Sequence, residues 1–104
     1  MDIIKEILKA LKETRYEYSL HAVDQSIERH ITRDEVHQII EGGEIIEDYP
    51  EDKYGPSCLI AGQTKTGKWI HVQCSYPSRY KVKIITLYEP DPDEWIDFRI
   101  RRKT

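Results

Sequence analysis

The spacing of apolar residues changes once along this chain, at Gly42-Gly43, and that change constrains the fold more than any other feature. Before it, apolar residues recur every three or four positions, as on one side of a helix; after it they alternate, as on a strand. Ile3, Ile4, Ile7, Leu8 and Leu11 place an amphipathic helix over residues 2–13. Tyr16-Glu-Tyr-Ser-Leu20 reads as a short alternating strand. Leu20, Val23, Ile27 and Ile31 form a second helical stripe, expected to be buried, with His30 near its stop. Thr32 and Glu35 have the spacing of a capping box, in which hydroxyl and carboxylate each satisfy a backbone amide at a helix start. Val36, Ile39 and Ile40 give that third helix its buried face, and the glycine pair ends it.

Four strands are expected beyond the glycines, at Glu44–Tyr49, Ser57–Gln63, Lys68–Ser75 and Tyr80–Tyr88. Thr64-Lys-Thr-Gly67 and Tyr76-Pro-Ser-Arg79 are links short enough to make neighbouring strands antiparallel. The predicted fold is therefore α+β, with N-terminal helices packed on one face of an antiparallel four-stranded meander. Pairing Gln63 with Lys68 puts Leu59 and Ala61 on the face of Ile70, Val72 and Cys74, under the helices. Ile60, Trp69, His71 and Gln73 then occupy the opposite face. The second hairpin has two readings. A five-residue loop places Lys81 and Lys83 beside His71, and a four-residue loop places Thr86 and Tyr88 on its face. One residue of slip separates them.

A chain of 104 residues without repeat or linker reads as a single domain, 1–104. The net charge of −3 is unevenly spread, with −6 over residues 1–50 and +3 over 51–104. Binding nucleic acid by charge alone asks for a more basic chain. A phosphate partner must meet a local patch: Lys65, Lys68, Arg79, Lys81 and Lys83, or the basic tail over 96–104 with Arg99, Arg101, Arg102 and Lys103. Cys58 and Cys74 lack metal-site spacing and read as buried thiols. No apolar run approaches the roughly 20 residues of a membrane span, and no signal-peptide pattern opens the chain. A cytoplasmic location is expected.

Two histidines draw attention. His21 opens the second helical segment, where free backbone amides favour an anion. His71 sits mid-strand in Lys-Trp-Ile-His-Val, flanked by core-facing residues, so its imidazole points to the other face. A shared cleft would give the pair the means of acid–base catalysis near neutral pH. Neither belongs to a His-x-x-x-His pair, so no metal site is expected.

Three segments together carry a resemblance: Leu-His-Ala-Val-Asp-Gln-Ser-Ile-Glu-Arg-His-Ile-Thr (20–32), Lys-Trp-Ile-His-Val (68–72) and Ile-Thr-Leu-Tyr-Glu-Pro-Asp-Pro-Asp-Glu-Trp (85–95). From about Tyr18 to Trp95 the chain resembles the family catalogued as domain of unknown function 4258. That family is thought to be related to RelE/BrnT-like toxins and the barnase–EndoU–colicin–RelE ribonucleases. The resemblance implies a RelE-like fold, RNA cleavage without metal or cofactor, and an antitoxin-like protein as partner. The family's recurring polar positions fall on His21, Arg29, His71, Thr86 and Tyr88. Gln25 stands where arginine is common, and His30 where glycine usually ends the helix.

On that reading His21 and His71 are the catalytic acid and base, in either order. Arg29, Lys83, Thr86 and Tyr88 bind substrate and steady charge on the phosphorane. The alternative is a non-catalytic module whose sheet face, with Trp69, His71 and Gln73, receives a protein partner or a second copy in a homodimer.

Overall fold

The computed structural model describes residues 2–53 and 55–102; Lys103 lies outside them. Three helices come first: α1 (Ile3–Lys12), α2 (Leu20–Glu28) and α3 (Arg33–Gly42), with strand β1 (Tyr16–Tyr18) between α1 and α2. Then follow β2 (Glu44–Tyr49), β3 (Ser57–Gln63), β4 (Trp69–Ser75), β5 (Val82–Tyr88), β6 (Trp95–Ile96) and β7 (Ile100–Arg101). Each helix start is capped by the residue its sequence offers. Asp2 accepts from Lys5 N and Ser19 from Ala22 N, and Thr32 with Glu35 forms the expected box. His30, at φ 54°, takes the left-handed conformation that ends α2.

The fold is α+β, but the main sheet has five strands and is mixed, in the order β1-β5-β4-β3-β2. β1 adds to the edge of β5 in parallel, Tyr16 opposite Val82 and Tyr18 opposite Ile84. The four-stranded antiparallel meander omitted this strand because its partner lies more than 60 residues away, and a parallel pairing leaves no hairpin to read.

The first hairpin is one residue out of the expected register. Gln63 pairs with Trp69, and Ile60 with Val72. The reason is in the turn: Thr64 N donates to Lys68 O, and Gly67 at φ 91° supplies the left-handed residue of a three-residue loop. Cys58 and Ile60, not Leu59 and Ala61, therefore join Ile70, Val72 and Cys74 in the core beneath α1 and α3. Each such side chain, fully removed from water, contributes roughly 1.5–3 kcal/mol. Cys58 and Cys74 are free, buried and directly cross-strand, where the hydrogen bond with the Cys58 thiol and then burial push the Cys74 thiol up.

The second hairpin takes the register that puts Thr86 and Tyr88 on the face of His71; Lys81 and Lys83 do not lie beside His71. His71 lies opposite Tyr88 and Gln73 opposite Thr86, but a bulge then pairs Cys74 with Ile84. The extra residue returns Lys83 to the face that carries Thr86 and Tyr88.

Helix α2 departs from its predicted orientation. Of the stripe Leu20, Val23, Ile27 and Ile31 only Ile31 is buried; Leu20 is 86% exposed and Ile27 67%. Ser19 sets the roll of the helix. Its hydroxyl donates to Ile85 O at 2.6 Å while accepting from Ala22 N, so the small Ala22 faces inward. Periodicity identifies a stripe, and this tether decides which stripe meets the sheet.

The sheet face away from α1 and α3 is covered by the β6–β7 hairpin. Its turn is Asp97-Phe98, both at positive φ (52° and 59°), closed by Arg99 N donating to Ile96 O at 3.1 Å. Phe98 stacks on Trp69 at 5.1 Å between ring centres. Arg99 binds Glu44, and Arg101 binds Glu47 at 3.0 Å while its guanidinium lies over the Trp95 ring. The segment expected as a basic tail thus forms a strap for residues 96–101.

Candidate functional site

Beneath this strap, His71 is fully buried. Its Nε2 lies 2.6 Å from the Phe98 carbonyl and its Nδ1 3.2 Å from the Tyr88 hydroxyl. A carbonyl only accepts, so Nε2 carries the proton and Nδ1 accepts from Tyr88. The Trp95 indole stands perpendicular to the imidazole and closes it from a third side, 4.5 Å between centres. Burial holds the His71 pKa below its ordinary value, partly opposed by the Phe98 carbonyl and the Glu47 carboxylate. His71 is a neutral imidazole of fixed tautomer.

Tyr88 connects this buried ring to solvent. Besides holding Nδ1, it lines a cavity of about 290 Å³ together with Gln25, Arg29, Glu89, Asp91 and Glu94. Burial pushes its phenol up to about 12, with Glu47 and Glu94 acting in the same direction and Arg101 against it. At neutral pH the hydroxyl is a donor and not a phenolate. One cation, Arg29, faces three carboxylates across this space.

The helix brings its own polar stripe to the same seam. His21, Gln25 and Arg29 recur every four residues of α2, so they lie on one side of it, about 6 Å apart along the axis. Gln25 Oε1 accepts from Thr86 Oγ1 at 2.7 Å and from Leu87 N at 2.9 Å. Beyond the end of β1 it serves the open edge of β5 that a longer strand would have served. The glutamine where arginine is common therefore has a local structural task. It also occupies the Thr86 hydroxyl, which makes Thr86 a brace between β5 and α2.

The six residues singled out in the sequence thus fall into three settings. Arg29 and Tyr88 share the cavity, with His71 behind Tyr88 and Thr86 beside it through Gln25. His21 is exposed, one helical turn before Gln25. Lys83 belongs to another cavity, at the far end of β5. An open cleft onto which both imidazoles look is not what the fold makes, because the strap seals His71. Phe98 and Glu94 were missed in the sequence, whereas Trp95, read as a packing anchor of the C-terminal turn, is buried against His71. The contact that decides the His71 tautomer is a backbone carbonyl, which side-chain identity does not encode.

Glu47 sits on the same sheet face. Burial pushes its carboxyl up, but hydrogen bonds from Arg101 and Tyr49 outweigh that and hold it below the usual range. Among the described residues, no three His, Cys, Asp or Glu side chains gather into a group able to hold a metal ion. Nor is any helix among them long and apolar enough to cross a membrane.

No curated protein and no solved structure matches the chain. The model of the family described as domain of unknown function DUF4258 matches residues 18–89, from β1 through the end of β5 and short of the β6–β7 strap. The chain belongs to that family.

Proposed function

We propose that this chain is a metal-independent endoribonuclease of the RelE/BrnT-like kind, working at the seam between α2 and β5. One observation carries the reading: the Tyr88 hydroxyl that lines the cavity with Arg29 is hydrogen-bonded to a buried, neutral imidazole. In this mechanism the Tyr88 oxygen takes the proton of an RNA 2′-hydroxyl as its own proton passes to His71 Nδ1. The 2′-oxygen attacks the adjacent phosphorus, and the bond to the 5′-oxygen breaks to leave a 2′,3′-cyclic phosphate. Arg29 donates to the phosphorane, and the leaving oxygen takes its proton from solvent in the open cavity, since His21 lies two helical turns from Arg29 and outside the lining. His71 positions and relieves Tyr88 without touching substrate. The Phe98 carbonyl and Glu47 supply the negative potential that the transient imidazolium needs.

The test is cleavage of a labelled RNA in the presence of EDTA, with the ends of the products identified. Arg29→Ala and Tyr88→Phe should each slow cleavage by about 10²- to 10³-fold. His71→Gln should change the pH profile as well as the rate. Cleavage by Tyr88→Phe at the wild-type rate would end the proposal, as would an inert wild-type protein.

The strap covers Trp69 and His71 on the sheet face expected to receive a partner, but the exposed stripe of α2 favours a second reading, a binding or dimerisation module. Leu20, Val23 and Ile27 form an exposed apolar ridge on α2, of the kind that marks interaction surfaces. Light scattering of the wild type beside Leu20→Asp/Ile27→Asp tests it. A dimer that the double substitution converts to monomer supports this reading, and two identical monomers exclude the homodimer.

A further inference from the structure

We infer that the groove at the other end of β5 is a binding site for single-stranded nucleic acid. The groove has a volume of about 360 Å³, within the range of ligand pockets. Lys53 from the β2–β3 connection, Arg79 and Lys81 from the β4–β5 connection and Lys83 from β5 line it, with Ser75 and the carboxylate of Glu17. Lys83 pairs with Glu17 at 3.8 Å. Among the described lining residues Arg79 and Lys81, with Lys53 and Lys83, outnumber the Glu17 carboxylate, and on a protein of net charge −3 this concentrates positive potential in one concavity. The fold assembles it from stretches some 30 residues apart.

Charge alone fits any anion; an exposed aromatic residue that lies between two lining cations in sequence, just outside the lining itself, narrows the choice. Tyr80 sits between Arg79 and Lys81 and is 74% exposed. The Arg15 guanidinium lies over its ring at 5.2 Å and donates to its carbonyl at 2.7 Å, so the ring is held in place although it stands in solvent. A cationic groove for phosphates beside a supported aromatic face for a base is the arrangement that holds single strands without reading their sequence. Base-paired RNA would withhold its bases from Tyr80. Lys83 and Tyr88 are five residues apart on β5, roughly 16 Å of extended chain. A strand of several nucleotides can therefore rest here and reach the Tyr88 cavity, which a mononucleotide cannot. The site goes beyond the proposed cleavage and is tested by binding alone.

The test is fluorescence anisotropy of a labelled uridine octamer with the full chain, at 50 and 200 mM salt. Three to four phosphate contacts predict a fall in affinity of roughly 20- to 50-fold between the two salts. Arg79→Ala/Lys81→Ala alters two exposed loop side chains; it should weaken binding at least tenfold and flatten the salt dependence. Tyr80→Ala should weaken binding about 5- to 100-fold and leave the salt dependence unchanged, while Tyr80→Phe retains affinity. A 2′-deoxy octamer, which has no 2′-hydroxyl to react, should bind as the ribo-octamer does, so loss of the cleavage reading leaves this test intact. Wild-type affinity in the Arg79/Lys81 double variant, with its fold confirmed by circular dichroism, would overturn the inference. So would competition by inorganic tripolyphosphate as effective as that by unlabelled octamer, which would make the groove a site for small free anions.

Discussion

The Tyr88 hydroxyl donates to His71 Nδ1 across the β4–β5 pair, and the opposite nitrogen of the same ring is committed to the Phe98 carbonyl. The imidazole is thereby neutral, oriented and dry. Placing it there takes three elements that sequence separates: β4, β5 and the strap that follows β5.

That burial links stability to pH. The folded-state pKa of His71 lies below the 6.5 of a free histidine, so the unfolded chain takes up this proton first on acidification. Stability from this group is complete above about pH 6.5 and declines as pH falls toward the lower folded value. The urea midpoint should drop between pH 7 and pH 5, and by less in His71→Phe. In an NMR titration the His71 ring should change charge below pH 6.5. A His71 that titrates at or above 6.5 would contradict the burial.

Gln25 serves two donors on β5 with one oxygen. Gln25→Ala leaves the Leu87 amide and the Thr86 hydroxyl without it, at a cost of about 1–3 kcal/mol. Hydrogen exchange at Leu87 N should accelerate, whereas exchange at Val72, inside the β3–β4 ladder, should not.

Gly43 is required for space and not for conformation. Its φ of −91° suits any residue, but a Cβ there would stand 2.3 Å from Ile39 O and 2.7 Å from Ala61 O. Both are backbone atoms, so neither yields as a flexible side chain would. Gly43→Ala should cost about 1–3 kcal/mol, as overpacking does. Gly42→Ala, with nothing within 4 Å of its Cβ, should leave thermal stability nearly unchanged.

The Tyr18 hydroxyl is buried without a hydrogen-bond partner among the described residues, and burial pushes its pKa up to about 12. Tyr18→Phe removes an unsatisfied group and keeps the ring against the core. Its unfolding temperature should equal or exceed that of the wild type. A loss of more than about 1 kcal/mol would show that the hydroxyl has a partner in solution.

Local chemistry was legible in the residues alone. Capping by Thr32 and Glu35, the left-handed stop at His30, the change to strands after Gly43 and the buried cysteine pair all depend on neighbours or on polarity. Such features are decided over distances shorter than a helical turn or a hairpin. Tertiary structure decided the rest. The parallel pairing of β1 with β5, the roll of α2 set by Ser19 on Ile85, and the sealing of His71 by the Phe98 carbonyl each join residues 27 to 66 positions apart. Two of those three joints are made to backbone carbonyls, and the third is a ladder between backbones. Every residue carries the same peptide group, so composition and periodicity hold no record of which one a distant side chain will find.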